Sequence, residues 1–207
     1  MLDGEDVTLK IVQAGDPVLR ARARELSPSE IQSRAIQDLI DQMRETMREA
    51  PGVGLAAPQI GESLQLAVIE DRDDYQENVA DERLALLERE PVAFHVIINP
   101  RIERRQTDPP ARFFEGCLSL SGVVGVVPRA LDVHVDALDE HGRPISIDAH
   151  GWYARILQHE IDHLHGTLCI DRMYPRTLMT QDAYAQFWGN QPIEAIWQAL
   201  DPERPLP

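Results

Sequence analysis

Residues 151–166 read GWYARILQHEIDHLHG. The stretch has the amphipathic pattern of a helix over about 151–165, and Gly166 suits the left-handed position that closes it. Within it lies His159-Glu160-Ile161-Asp162-His163. Side chains four apart share a helix face, so both imidazoles can reach one metal ion. Glu160 stands beside them, where it can handle the proton of an activated water. His165, two residues after His163, is turned about 200° away and is not expected to be a ligand.

On either side the pattern alternates between strand and helix. Upstream, residues 64–69 (LQLAVI) and 93–99 (AFHVIIN) read as strands, and 131–138 with 144–149 read as a hairpin around Asp139-Glu140-His141-Gly142. Further upstream, Ser27, Pro28 and Glu30 form a capping box that starts an amphipathic helix over about 28–49. Ile31, Ile36, Leu39, Ile40, Met43 and Met47 make its core stripe. Downstream, PIEAIWQAL at 192–200 predicts a weaker helix. The expected class is α+β, with small antiparallel sheets packed around the His-bearing helix plus an N-terminal helix. The chain divides into a catalytic unit over 1–178 and a C-terminal tail over 179–207.

Composition narrows the function. The 207 residues suit one domain, and no run approaches the ~20 apolar residues of a membrane span. The 35 Asp and Glu against 20 Lys and Arg give a net charge of −15, which disfavours direct nucleic-acid binding. From residue 177 onward the tail has Arg204 as its sole base, so docking on ribosomal RNA by that route is not expected. Trp188 and Trp197 are expected to fold back on the domain. The acidic stretch 70–92, with nine carboxylates and three arginines, reads as a solvated insertion with a helical turn near 81–88. The stretch MLDGEDVTLK lacks the basic start and apolar run of a signal peptide, so a reducing cytoplasm is the expected compartment for Cys117 and Cys169.

Two histidines leave a metal site short of a ligand. Downstream, Glu194 and Asp171 are the acids near a plausible element, and neither has a convincing setting. Upstream, Cys117 in Phe113-Phe114-Glu115-Gly116-Cys117-Leu118-Ser119 lies on a strand-like segment and can supply a thiolate. Cys169, between Leu168 and Ile170, has the surroundings of an inert core thiol. GVGLAAPQ at 52–59 offers small residues for close backbone approach, and a Gln59 amide able to donate to a developing oxyanion.

GVGLAAPQ, EGCLS and QHEIDHLHG, in this order, resemble the three signature motifs of peptide deformylases. GDPVLR near the start and IDRM at 170–173 resemble that family too, and the flanks of the His helix look closest to its organellar type 1 branch. The resemblance spans about residues 11–178. It implies three small antiparallel sheets around the metal helix, and removal of formyl groups from N-formylmethionyl peptides. It further implies that Cys117, His159 and His163 bind one divalent ion, usually Fe²⁺ in this family, with Zn²⁺, Ni²⁺ or Co²⁺ as other occupants. By the same resemblance Glu160 is the general base and acid. Leu118 N–H and the Gln59 amide form the oxyanion hole. Val53 and Gly54 hold the peptide, and Glu115 and Gly116 border the methionine pocket.

The chain departs from the family pattern at two places. Ser121 stands where many bacterial members have Pro, and Val124 near where many have an Arg at the methionine pocket. Two other functions share the motif: an HExxH metallopeptidase with a downstream third ligand, and a silent metal-binding relative that only binds peptides.

Overall fold

An unbroken apolar run belongs where both faces of a strand are covered, and residues 66–69 are placed that way. The computed structural model describes residues 8–50, 52–77, 79–105, 110–189 and 191–202. Its strands are β1 (Gly54–Ala56), β2 (Leu66–Asp71), β3 (Val92–Arg105), β4 (Ala111–Cys117), β5 (Leu120–Arg129), β6 (Asp132–Leu138), β7 (Pro144–His150) and β8 (Met179–Thr180). The helices are α1 (Pro28–Ile31), α2 (Arg34–Glu49), α3 (Asp81–Leu87), α4 (Gly151–Leu164), α5 (Cys169–Arg172), α6 (Gln181–Ala183) and α7 (Ile193–Leu200). Five strands form one antiparallel sheet in the order β1-β2-β3-β6-β7, and β4-β5-β8 form a second. The α+β expectation holds. The strands join into two sheets among the described residues, however, where the resemblance implied three.

The β1–β3 part of the five-stranded sheet is buried between two helices. Ala67, Ile69 and Ile97 point to one face, where they meet Leu157, Ile161 and Leu164 of α4. Leu66, Val68, Val96 and Ile98 alternate to the other face, against Ile36, Ile40, Met43 and Met47 of α2. Each fully buried Leu or Ile side chain contributes about 2 kcal/mol of burial. The second sheet flanks α4 and is tied to it by buried charges described below.

The N-terminal helix is broken where a single one was expected. Ser27 and Glu30 make the capping box, but α1 stops at Ile31. Ser33 then accepts a hydrogen bond from Ile36 N–H and starts α2 afresh. Arg204, the base of the tail, lies outside the described residues. The acidic stretch is drier than its composition suggests. Asp71 is buried and takes two 2.8 Å hydrogen bonds from Arg89, and 81–87 is helical. Trp197 does fold back, edge-on to Tyr174 with ring centroids 4.6 Å apart.

Because α2 depends on Ser33 for its first turn, Ser33→Ala should lower stability by about 1 kcal/mol in urea unfolding. An unchanged midpoint would show that packing alone positions the helix.

Candidate metal centre and active site

Position decides which histidines matter. On α4, one helical turn brings His159 and His163 to the same face, with ring centroids 5.0 Å apart. Cys117 ends β4, and its Sγ lies 3.3 Å from His163 Nε2. One donor atom from each of the three residues falls within 4.8 Å of the others. Tetrahedral ligands at ~2.0–2.3 Å from a metal stand roughly 3.3–3.8 Å apart; the Cys117–His163 pair has that spacing, and the group is close enough to hold a single ion. His165 is exposed and outside the group. His95, His134 and His150 bond to Tyr153, Asp148 and Asp132.

The imidazoles are aimed by a chain of buried charges. His159 Nδ1 lies 3.1 Å from Glu115 Oε2, which leaves Nε2 for a metal. Arg129 donates to both Glu115 oxygens at 2.8 Å and to Asp162 at 2.6 Å. Asp162 also accepts twice from Arg172 and once from Arg104. Burial opposes ionisation of Glu115, but Arg129 overcomes it and holds the carboxyl far below the usual range. Burial and the neighbouring His159 push His163 well down, keeping it in the neutral form that ligates. His163 Nδ1 has no hydrogen-bond partner among the described residues.

Glu160 is buried, and burial pushes it up to about 7. Its Oε2 is an orphaned acceptor among the described residues, ready for a water. Gly54 makes room for this carboxyl: a Cβ there would stand 2.3 Å from Glu160 Oε1. Gln59 sits in a 3₁₀ turn over 57–60 that follows β1. Its Oε1 accepts from Ala56 N–H at 2.9 Å, which turns Nε2 toward Cys117 Sγ, 3.6 Å away.

A cavity of about 570 Å³ collects these groups. Val53, Gly54, Gln59, Glu115, Gly116, Cys117, Leu118, His159 and Glu160 all line it, and His163 backs the metal position. The Val53 carbonyl is already engaged by Glu70 N–H. Cys169 is buried, and burial raises its thiol to about 11, as befits a structural cysteine. Asp171 pairs with Arg20 and accepts from Leu168 N–H, so it is spent away from the cluster. The downstream-ligand alternative finds no support.

Sequence reasoning missed Arg129, Asp162 and Arg155. Asp162 carried a signal, since it is a charge on the buried side of the metal helix. Arg129 had only its place at the end of an apolar run, and Arg155 sits one turn before His159 on the same face.

The fold and these residues define a protein class: α+β, with one metal position on an HExxH helix beside a buried carboxylate. The chain belongs to the polypeptide deformylase family, whose model matches residues 8–178. It is 49% identical to peptide deformylase 1A, chloroplastic, of Solanum lycopersicum over 82% of this chain and 61% of that one. The chain thus spans about three fifths of that relative's length. It is 45% identical to peptide deformylase 1 of Bifidobacterium longum, covering 92% of this chain and 84% of the other. Among solved structures, a peptide deformylase from Synechococcus elongatus in complex with actinonin superimposes with a TM-score of 0.66. That pair is 40% identical, over 80% of this chain and 78% of that one. A class I type b enzyme from Acinetobacter baumannii bound to Met-Ala-Ser gives 0.70 at 31% identity, over 82% of this chain and all of the other.

If Glu115 aims His159, Glu115→Gln should weaken metal binding about 10–100-fold in a chelator competition. It should also cost about 3 kcal/mol or more of stability by stranding Arg129. Unchanged metal affinity would assign Glu115 a purely structural part.

Proposed function

We propose that this chain is a metal-dependent hydrolase that removes the formyl group from N-formylmethionyl peptides of nascent proteins and releases formate. The observation that carries the reading is one cavity lined by Cys117, His159, Glu160 and Gln59, with the His163 donor within 4.8 Å of those of Cys117 and His159 and a Glu160 oxygen that has no partner among the described residues. Family membership and relatives solved with actinonin or Met-Ala-Ser support it.

Cys117, His159 and His163 would hold one divalent ion, with Fe²⁺ the favoured occupant and Zn²⁺, Ni²⁺ or Co²⁺ able to replace it. When bound, such an ion supplies Lewis acidity toward water and the formyl oxygen. Glu160 takes the proton of the attacking water on Oε2 and delivers it to the leaving amide nitrogen. A group poised near 7 can do both. As the formyl C–N bond breaks, formate departs and the peptide keeps a free amino terminus. Gln59 Nε2 and Leu118 N–H donate to the oxygen on which charge develops. β1 is an edge strand, so Val53 and Gly54 can accept the peptide backbone as an added strand. Gly116 and Glu115 border the methionine side chain, and the Glu115 charge is spent on Arg129 and His159.

Residues 1–178 form the catalytic unit and 179–207 a tail in this reading, supported by a family match over 8–178. Free Cys117 and Cys169 suit a reducing cytoplasm. No helix among the described residues is long and apolar enough to cross a membrane. The partner is the formylated peptide, with no contact to nucleic acid.

Glu160→Gln should keep one metal per chain and lose about 10²–10⁴-fold in formate release. Gln59→Ala should lose about 10²–10³-fold, the cost of one oxyanion donor. Full activity in Glu160→Gln would remove the proposed proton carrier.

A further inference from the structure

A second cavity of about 250 Å³ adjoins the catalytic one. Arg89, Phe114, Trp152 and Arg155 line both. Its apolar walls come from α3, β4, the turn over 184–188 and α7, through residues such as Leu87, Phe113 and Ile196. Among the described residues four arginines line it, at 83, 89, 112 and 155, and no carboxylate does. That is a sharp local reversal in a chain with 35 acidic and 20 basic residues.

The arginines are not equivalent. Arg89 is bound twice to Asp71, and Arg83 donates to Tyr184 Oη at 2.6 Å. Arg112 lies over the Trp197 ring at 3.7 Å. Arg155 is 7% exposed, with its guanidinium 3.8 Å from the Trp152 ring centroid and 4.8 Å from that of Phe113. It makes no hydrogen bond or ion pair to any described residue. Stacking covers the faces of a guanidinium and leaves its edge of N–H donors for an acceptor in the plane. Trp152 Nε1–H is likewise buried without a partner among the described residues. Glu115 is a carboxylate whose charge reaches Arg155, and it is already spent on Arg129 and His159. Two donors without a hydrogen-bond partner among the described residues suit a ligand carrying acceptor oxygens.

We propose that the second cavity binds a small organic carboxylate with an apolar body, its carboxylate held by Arg155 and the Trp152 indole N–H. The carboxylate meets the fork of Arg155, and its body fills the apolar remainder. Because the wall is shared, an occupant borders the catalytic cavity, one helical turn from His159. The carboxylate can belong to a free acid or to an acidic residue of a peptide reaching over from the catalytic side.

Phenylacetate and phenylacetamide, which differ in charge and little in shape, are titrated into the metal-loaded full chain. The Trp152 indole N–H resonance is followed by NMR and assigned with Trp152→Phe. Phenylacetate should shift that resonance and bind at least tenfold tighter than the amide. In Arg155→Met the preference should fall below twofold, and in Arg155→Lys to an intermediate value. The wild-type titration decides the matter even where a variant does not fold. Equal affinities, no shift, or a preference that survives Arg155→Met would overturn the proposal. So would a preference that vanishes when the metal is removed, because the carboxylate would then be ligating the ion. Met-Ala-Glu-amide binding more tightly than Met-Ala-Gln-amide and displacing phenylacetate would assign the carboxylate to a peptide. Equal binding of the two, with the phenylacetate preference intact, would assign it to a free acid.

Discussion

The guanidinium of Arg129 joins the two halves of the active site. On one side it neutralises Glu115 on β4, and on the other Asp162 on α4. All three groups are nearly removed from water. Taking such charges out of water costs several kcal/mol per ion, and only close, multiply bonded partners repay it. The arrangement is therefore intolerant of displacement: the second sheet must sit where β4 meets α4, or a charge is left bare. That same placement puts Cys117 beside His163 and Glu115 beside His159. The metal position is a by-product of satisfying buried charge.

Around this clamp, close packing removes the remaining freedom. α4 is buried along most of its length, so its rotation is fixed by the five-stranded sheet. Gly54 lets β1 come against Glu160, which positions the carboxyl while leaving one oxygen without a partner among the described residues. Gly166 closes α4 at φ +72°, where a Cβ would stand 2.5 Å from the Arg20 carbonyl, so the chain turns tightly back under the helix. Burial then makes Glu160 protonatable near neutrality, a property its residue type alone does not provide.

Much of this was legible in the residues. α4 ends one residue from its expected limit, because a 3.6-residue pattern closed by Gly is a local signal. The site residues came from short motifs, and the structure brings them to one cavity, with His163 behind its wall. What escaped was non-local. Arg129 finds Glu115 across 14 residues and Asp162 across 33, and no spacing rule links such partners. The helix break at Ser33 was hidden because the apolar stripe runs through it, while the second cap wins locally. The charge run at 70–92 read as wet, yet Asp71 is dry because Arg89 folds onto it. Charge density along a chain does not say which charges find each other.

The central claim is that this clamped Cys/His/His position performs deformylation. Its most direct test is formate release from formyl-Met-Ala-Ser by protein prepared anaerobically with Fe²⁺ or reconstituted with Ni²⁺. The account predicts one formate per new amino terminus, with kcat/KM above ~10⁴ M⁻¹s⁻¹, and loss of turnover on chelation. Protein with one metal per chain that released no formate would contradict it.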